Sequence, residues 1–167
     1  MNRIIALDKN WEFTWIDYQG NVDRLLDYYP NRWRDAQVPG VAQLDLMDSG
    51  DIPDLFVGMN VDHALWMERK DWWYRNEFET PVVTVDDKVE LVFHGLDTFG
   101  TVWLNGERLG STQNMHRRYT FDVTTLLRVG GVNELVVRLA APIFSIPFDK
   151  QHHPVRRPPE RLFVRKA

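Results

Sequence analysis

Residues 101–109 read TVWLNGERL, and this stretch decides the fold class of the chain. Apolar and β-branched residues on either side of Asn105-Gly106 are typical of two short strands. Asn-Gly tolerates positive φ at both central positions of a turn, so it favours the type I′ turn that joins two antiparallel strands. The sequence therefore predicts a tight β-hairpin at this point.

Four more segments carry strand signals. Residues 11–15 (WEFTW) alternate large apolar and polar side chains with the period of two that a half-buried strand shows. Residues 72–78, 89–93 and 133–141 are rich in the β-branched, aromatic and aliphatic residues that strands favour. The residues expected to share one face are Trp72, Tyr74, Asn76 and Phe78 in residues 72–78, and Leu135, Val137 and Leu139 in residues 133–141.

Helix signals are weaker and more local. Residues 41–49 predict a short helix that ends at Gly50. Residues 21–29 predict a helical turn, and residues 124–128 predict a turn. Connections as long as residues 36–70 suit a jelly roll better than a meander. Many strands with few helices therefore predict an all-β fold, an antiparallel β-sandwich of the jelly-roll type.

The composition is that of a soluble globular domain. The chain has 167 residues, of which 44% are hydrophobic and 26% charged, with no Cys and a net charge of −4. These values exclude disulfides and Cys-ligated metal sites, and they argue against a nucleic-acid partner. No apolar stretch approaches the roughly 18 residues that cross a bilayer, and the apolar run at residues 4–7 is shorter than a signal peptide requires. We therefore expect a soluble, cytoplasmic protein with no membrane partner.

Charge and proline divide the chain unevenly. Residues 142–167 hold six Lys or Arg and two Asp or Glu, a net charge of +4, which leaves −8 for residues 1–141. The same stretch holds five of the nine prolines. We interpret residues 1–141 as the jelly-roll sandwich and residues 142–167 as a Pro-rich basic loop with a final strand of the same domain. The alternatives are a site for a nucleic acid or another anionic partner, and packing of this stretch against something that is missing from this chain.

Motifs for catalysis are absent from the sequence. The dipeptides Asn76-Glu77 and Asn133-Glu134 lie in predicted strands, where we interpret them as ordinary solvated positions. None of the three Ser lies in a G-x-S-x-G elbow, and no H-x-x-x-H pair is available to hold zinc. The sequence therefore predicts no catalytic residue, no metal site and no cofactor in this chain.

The aromatic content, 13% with seven Trp, allows two interpretations. Large aromatic residues commonly fill the core of a sandwich. An exposed ring can instead stack on the apolar face of a sugar. For Trp11, Trp15, Trp72 and Trp103 we favour packing in the core or against another domain, and the sugar platform stays open.

Several motifs together resemble the β-mannosidase-like enzymes of glycoside hydrolase family 2. Residues 93–106 (FHGLDTFGTVWLNG) resemble the family pattern GLDT-x-A-x-V-x-LNG, with Gly100 where Ala is usual. Residues 114–123 resemble the pattern NMF…Y.FDV, with His116 where an aromatic residue is usual. Further similarity lies in residues 38–54 and in residues 71–75 (DWWYR).

The resemblance implies a galactose-binding-domain-like jelly roll, the N-terminal domain of such an enzyme. It also implies that an immunoglobulin-like domain and a TIM barrel with both catalytic carboxylates follow in the same polypeptide. The Trp-Asp-Trp motif of relatives would then lie just past Ala167. On this expectation the chain is catalytically silent alone. Its partners are the other domains of its own chain and, through the full-length enzyme, a terminal β-linked sugar.

Two asparagines are candidate substrate-binding residues by the same resemblance. Residues 56–61 match the Y-G-x-N-E loop of relatives in part, because Asn60 keeps the Asn while Val61 replaces the acid. Asn114 is the second candidate. For both, a role in a local turn is the alternative. Three other functions also stay open: an autonomous carbohydrate-binding module, a pure interaction domain, and a parent enzyme of the β-galactosidase or β-glucuronidase type.

Overall fold

The computed structural model describes residues 3–22, 25, 29–80, 83–84 and 86–145. Eight strands and three helices lie in this part of the chain. The strands are β1 Trp11–Asp17, β2 Arg34–Ala36, β3 Lys70–Glu79, β4 Glu90–Phe93, β5 Gly100–Leu104, β6 Glu107–Ser111, β7 Tyr119–Asp122 and β8 Val132–Leu139. The helices are α1 Ala42–Asp48, a 3₁₀ helix Asn60–Arg69 and α2 Pro142–Ser145.

The strands form two antiparallel sheets. The larger sheet has six strands in the order β2-β1-β3-β8-β5-β6, and the smaller one pairs β4 with β7. Strand β8 lies between β3 and β5, although these three are not consecutive in the chain. The predicted antiparallel β-sandwich is therefore confirmed, and its non-sequential strand order requires the long connections noted in the sequence.

One face of the six-stranded sheet packs against the smaller sheet. Alternate residues of β5 and β8 point to this side, as a strand's period of two requires. The cluster comprises Trp11, Val102, Leu104, Val123, Leu135 and Val137, with Tyr74, Phe78, Leu91, Phe93, Phe121 and Leu139 packed around it. The predicted shared faces of β3 and β8 are thus confirmed.

The opposite face of the same sheet is covered as well. Here Trp73 and Trp103 stack with their ring centroids 5.7 Å apart, beneath Val22 and Leu25. Val136 of β8 completes the cluster. Because both faces of the central strands are covered, all five residues of β5 are buried. Alternation alone predicted only a half-buried sheet.

The long connection before β3 forms a third packing region. Helix α1 confirms the helix predicted at residues 41–49, and Gly50 follows it with φ of 76°. Leu46 of α1 and Met67 of the 3₁₀ helix are buried against Phe13 and Trp72. This connection therefore packs on the same face as the smaller sheet and extends the core beyond it.

The two predicted turns are present in the structure, and the predicted helical turn is only partly described. Asn105 and Gly106 have φ of 54° and 87°, so the predicted type I′ hairpin joins β5 to β6. A turn lies within residues 124–128, closed by a hydrogen bond from Leu126 N to Val123 O of 3.0 Å. Most of the helical turn predicted at residues 21–29 lies outside the described residues.

The Pro-rich loop and final strand predicted for residues 142–167 lie mostly outside the described residues, which end at 145. Residues 142–145, at the start of the Pro-rich stretch, form α2. Among the helices of the described part, none is long and apolar enough to cross a membrane.

The prediction of solvated positions at Asn76 and Asn133 is wrong. Both side chains are buried, at 1% and 0% exposure. Asn76 Nδ2 donates to the carbonyl of Lys9 at 2.6 Å. Asn133 Oδ1 accepts from Arg128 N at 2.8 Å, and its Nδ2 donates to Thr80 Oγ1 at 2.6 Å. These partners replace water, which is why polar side chains can occupy the core.

Candidate functional site

A cleft of about 470 Å³ opens where β5 begins and β6 and β8 end. Its walls carry hydroxyl, amide and aromatic groups, a composition suited to a neutral polar ligand. None of the described residues that line it is Asp or Glu, so its walls offer no carboxylate for acid–base chemistry. The main polar lining residues are Tyr18, Asn21, Thr101, Gln113, Arg138 and Ser145.

Arg138, which lines the cleft, belongs to a buried ion pair. Arg138 Nε and Nη2 donate to Asp71 Oδ2 at 3.0 and 2.6 Å. Asp71 also accepts from Gln19 N at 3.1 Å and Ala141 N at 2.8 Å. Arg138 Nη2 donates in addition to the carbonyl of Gly20 at 2.6 Å. The Asp71 carboxylate offsets the Arg138 charge, so the pair offers little to attract an anion. Through Gln19 and Gly20 the pair also holds residues 18–22, 25 and 29–33, which we call the outer segment, onto the sheet.

The sequence analysis did not identify Asp71 or Arg138. One signal was available: Arg138 is the single cation in the otherwise apolar run of residues 135–140. A cation there needs a buried partner if both faces of the strand are covered. Sequence alone did not show that the second face is covered.

The candidate Asn60 lies at the start of the 3₁₀ helix. Its Nδ2 donates to the carbonyl of Asp54 at 2.8 Å, and its backbone N donates to Val57 O at 3.2 Å. The Oδ1 atom makes no hydrogen bond to another described residue. The side chain therefore secures a turn and keeps one acceptor for a further partner.

The candidate Asn114 lies in the loop between β6 and β7. Its Oδ1 accepts from His116 N at 2.9 Å, and its backbone N donates to the hydroxyl of Tyr119 at 3.0 Å. The described hydrogen bonds do not connect Asn114 with Asn60. Neither residue lines the cleft. The structure thus places the two candidates in separate turns, and a role in sugar binding stays a prediction for both.

None of the seven Trp side chains is exposed. Trp11, Trp72, Trp73 and Trp103 are buried, and Trp15, Trp33 and Trp66 are half-buried. Trp15 contacts Trp66 and Trp72 with ring centroids 5.5 Å apart in both pairs. The packing interpretation is therefore confirmed for Trp11, Trp15, Trp72 and Trp103.

A polar cluster lies on the outer face of the six-stranded sheet. Tyr29 donates its hydroxyl proton to Glu134 Oε1 and accepts from Arg75 Nη1 at 3.3 Å. Arg75 Nε also donates to Glu12 Oε2 at 2.6 Å, and its guanidinium lies 4.6 Å from the ring centroid of Trp33. Burial and then the hydrogen bond to Glu134 raise the pKa of Tyr29 to about 12. The hydroxyl therefore stays protonated at neutral pH and ties the outer segment to β3 and β8.

Metal binding finds no support in the described part of the chain, where no group of three His, Cys, Asp or Glu could hold an ion. The candidate polar sites are therefore the cleft, the turns at Asn60 and Asn114, and the cluster around Tyr29 and Arg75.

Comparison with known proteins identifies the family. Residues 11–167 match the glycosyl hydrolase 2 galactose-binding domain-like family. The chain belongs to this family. The match covers nearly the whole chain and includes both asparagine turns. The resemblance of the GLDT and DWWYR motifs to family 2 enzymes is thereby confirmed.

Two proteins to which the chain is similar are named as β-mannosidases. The chain is 34% identical over 148 residues to β-mannosidase B of Emericella nidulans, across 84% of this chain and 18% of that protein. Its sequence is 37% identical to that of β-D-mannosidase from Dictyoglomus thermophilum. The crystal structure of that enzyme matches 92% of this chain with a TM-score of 0.74. The chain spans 17% of that structure. It is therefore similar to one domain of these much longer enzymes.

A β-glucuronidase of Faecalibacterium prausnitzii shares the fold. That structure is 20% identical and matches 81% of this chain with a TM-score of 0.60. At this identity the likeness shows the jelly-roll architecture alone. The sugar that a family member hydrolyses does not follow from it.

Proposed function

We propose that this chain is the accessory N-terminal domain of a β-mannosidase that hydrolyses terminal β-linked mannosides. The observation that carries the proposal is the 37% identity to the Dictyoglomus thermophilum enzyme across 92% of this chain. Residues 1–141 form the jelly roll and residues 142–167 complete it. An immunoglobulin-like domain and a TIM barrel with the catalytic carboxylates follow in the same polypeptide.

In this proposal the chain helps to form the substrate pocket and contributes no catalytic residue. A glycosidase needs two carboxylates about 5–10 Å apart around the scissile bond. The described residues that line the cleft include no carboxylate, and Asp71 behind Arg138 is held by that Arg and two backbone amides. The chain therefore contributes one wall of a sugar pocket that the barrel completes. Asn60, through its remaining Oδ1 acceptor, and Asn114 are its proposed contacts with sugar hydroxyls.

Hydrolysis assays on the isolated chain and the whole polypeptide test the proposal. The whole polypeptide is expected to cleave p-nitrophenyl β-mannoside with a higher kcat/KM than the matching β-galactoside or β-glucuronide. The isolated chain is expected to cleave none of them. A preference for the galactoside or glucuronide would assign the parent enzyme to the other type. Turnover by the isolated chain in proportion to its concentration would overturn the accessory role.

The proposal includes a cytoplasmic location, which cell fractionation tests. The polypeptide is expected in the cytosolic fraction, and its recovery from the medium or the cell envelope would contradict this part of the proposal.

A further inference from the structure

Exposed apolar side chains concentrate in one short segment. Phe56 is 85% exposed and Met59 is 69% exposed, and Val57, Val61 and Leu65 are each more than half exposed. Single exposed apolar residues are ordinary on a soluble protein, whereas several together mark an interaction surface. We call residues 55–65 the apolar loop.

Hydrogen bonds fix the shape of the apolar loop. The backbone N atoms of Phe56 and Val57 donate to Asp54, at 2.9 Å to Oδ1 and 3.3 Å to the carbonyl. Asn60 closes a further turn on Val57, as described above, and Asp62 N donates to Met59 O at 3.0 Å. A loop held in consecutive turns presents its side chains without further ordering. Such preorganisation lowers the entropic cost of binding.

A groove of about 180 Å³ begins inside the apolar loop and runs toward the core. Its lining includes Leu55, Val61 and Leu65 from the loop and Met67 at its floor. Met67 is only 2% exposed and belongs to the core cluster of Phe13 and Trp72. An apolar side chain inserted from outside would therefore contact the core directly, as the anchor residues of protein interfaces do.

The surroundings of the apolar loop are acidic. Residues 51–68 contain four Asp or Glu and no Lys or Arg, and Arg34 from outside this stretch pairs with one of them, Asp51. Complementary charges steer an interface and fix its register. The matching surface should therefore be apolar at its centre and carry Lys or Arg at its rim.

We propose that the apolar loop is the surface through which this chain docks on the remaining part of its own polypeptide. The occupant follows from the comparisons, because more than four fifths of the matched β-mannosidases lies outside the region similar to this chain. A tethered neighbour is present at millimolar effective concentration, so it covers an apolar surface that would aggregate in a free domain. This inference rests on the proposed function.

Cysteine labelling tests the docking surface directly, because the chain has no Cys of its own. Val57→Cys places a thiol in the apolar loop, and Val129→Cys places one at an exposed Val outside it; the two Val are 58% and 71% exposed. Each variant is made in the isolated chain and in the whole polypeptide, and the modified peptide is quantified by mass spectrometry.

In the whole polypeptide the labelling rate of Val57→Cys is expected to fall about tenfold or more relative to the isolated chain, because interface cores exclude solvent. The rate of Val129→Cys should stay the same. Equal rates for Val57→Cys in the two proteins would overturn the proposal. A labelling rate that is low in the isolated chain and rises on dilution would also overturn the proposal. That result would assign the surface to contact between two copies of the chain.

A second set of variants tests whether the apolar loop stabilises the contact between this chain and the rest of the polypeptide. Phe56→Ser with Met59→Ser should leave the melting temperature of the isolated chain unchanged, because both side chains are exposed there. In the whole polypeptide the same pair should speed limited proteolysis between the domains, and Val129→Ser with Val132→Ser should not. Equal proteolysis of the two pairs would contradict the assignment. Because these readouts do not use hydrolysis, they stay valid if the substrate of the parent enzyme proves to be another sugar.

Discussion

Arg138 and Asp71 hold two opposite charges out of water, at 3% and 0% exposure. Replacing Arg138 by Met leaves the Asp71 carboxylate buried without its counter-ion. We expect a loss of about 3–5 kcal/mol in the free energy of unfolding, which urea denaturation measures. Lys88→Met, which breaks an exposed pair with Glu90, is the control and should change little. Equal losses of unfolding free energy in the two variants would show that the buried pair does not stabilise the fold more than an exposed pair does.

Gly100 departs from the family pattern, in which Ala is usual. A Cβ at this position would lie 2.4 Å from Thr112 Oγ1, which already accepts from Gly100 N at 3.1 Å. Gly100→Ala should therefore lower the stability by about 1–3 kcal/mol through overpacking. Adding Thr112→Ala removes the clash, so the double variant should be more stable than the sum of the single effects predicts. Additive losses in thermal denaturation would show that the two residues do not constrain each other.

At the scale of elements, the contact between the outer segment and the sheet depends on the Tyr29 hydroxyl, which must stay protonated to donate to Glu134. The pKa of Tyr29 is raised to about 12 from a usual value of 10, so the folded state holds this proton more tightly than the unfolded chain does. The resulting stabilisation is complete below pH 10 and is lost as the pH rises through 12. In Tyr29→Phe this part of the alkaline destabilisation should be absent, and tyrosinate absorbance should lose one group titrating near pH 12. Parallel stability curves for the two proteins between pH 10 and 12 would contradict the assignment.

The strands show which features a sequence reveals. Alternation in β1, β3 and β8 and the Asn105-Gly106 turn depend on local geometry, so they could be predicted from neighbouring residues. The covering of the second sheet face depends on residues 18–22, 25 and 29–33, which are distant in sequence from β3, β5 and β8, where Trp73, Trp103 and Val136 lie. For the same reason the buried pair of Asp71 and Arg138 was missed. Their partners lie at sequence separations that no local pattern encodes.

The molecule as a whole is a sheet covered on both faces. Buried Trp side chains lie on each face, with Trp11 and Trp72 on one and Trp73 and Trp103 on the other. The aromatic content that would suggest a sugar platform is thus used for packing. Among the described residues, the exposed apolar side chains are most concentrated in the apolar loop, where they suit a protein surface. This distribution favours a domain of a larger enzyme over an autonomous binding module.

Calorimetric titration of the isolated chain with β-1,4-mannooligosaccharides separates these two functions. We expect no heat of binding, because two of the cleft groups that could hold a sugar are already engaged within the chain. Tyr18 already contacts Phe144 with ring centroids 5.0 Å apart, and Arg138 is neutralised by Asp71. The control is the whole polypeptide with its catalytic carboxylates replaced, which should bind the same ligand. Saturable binding by the isolated chain would instead favour the autonomous binding module.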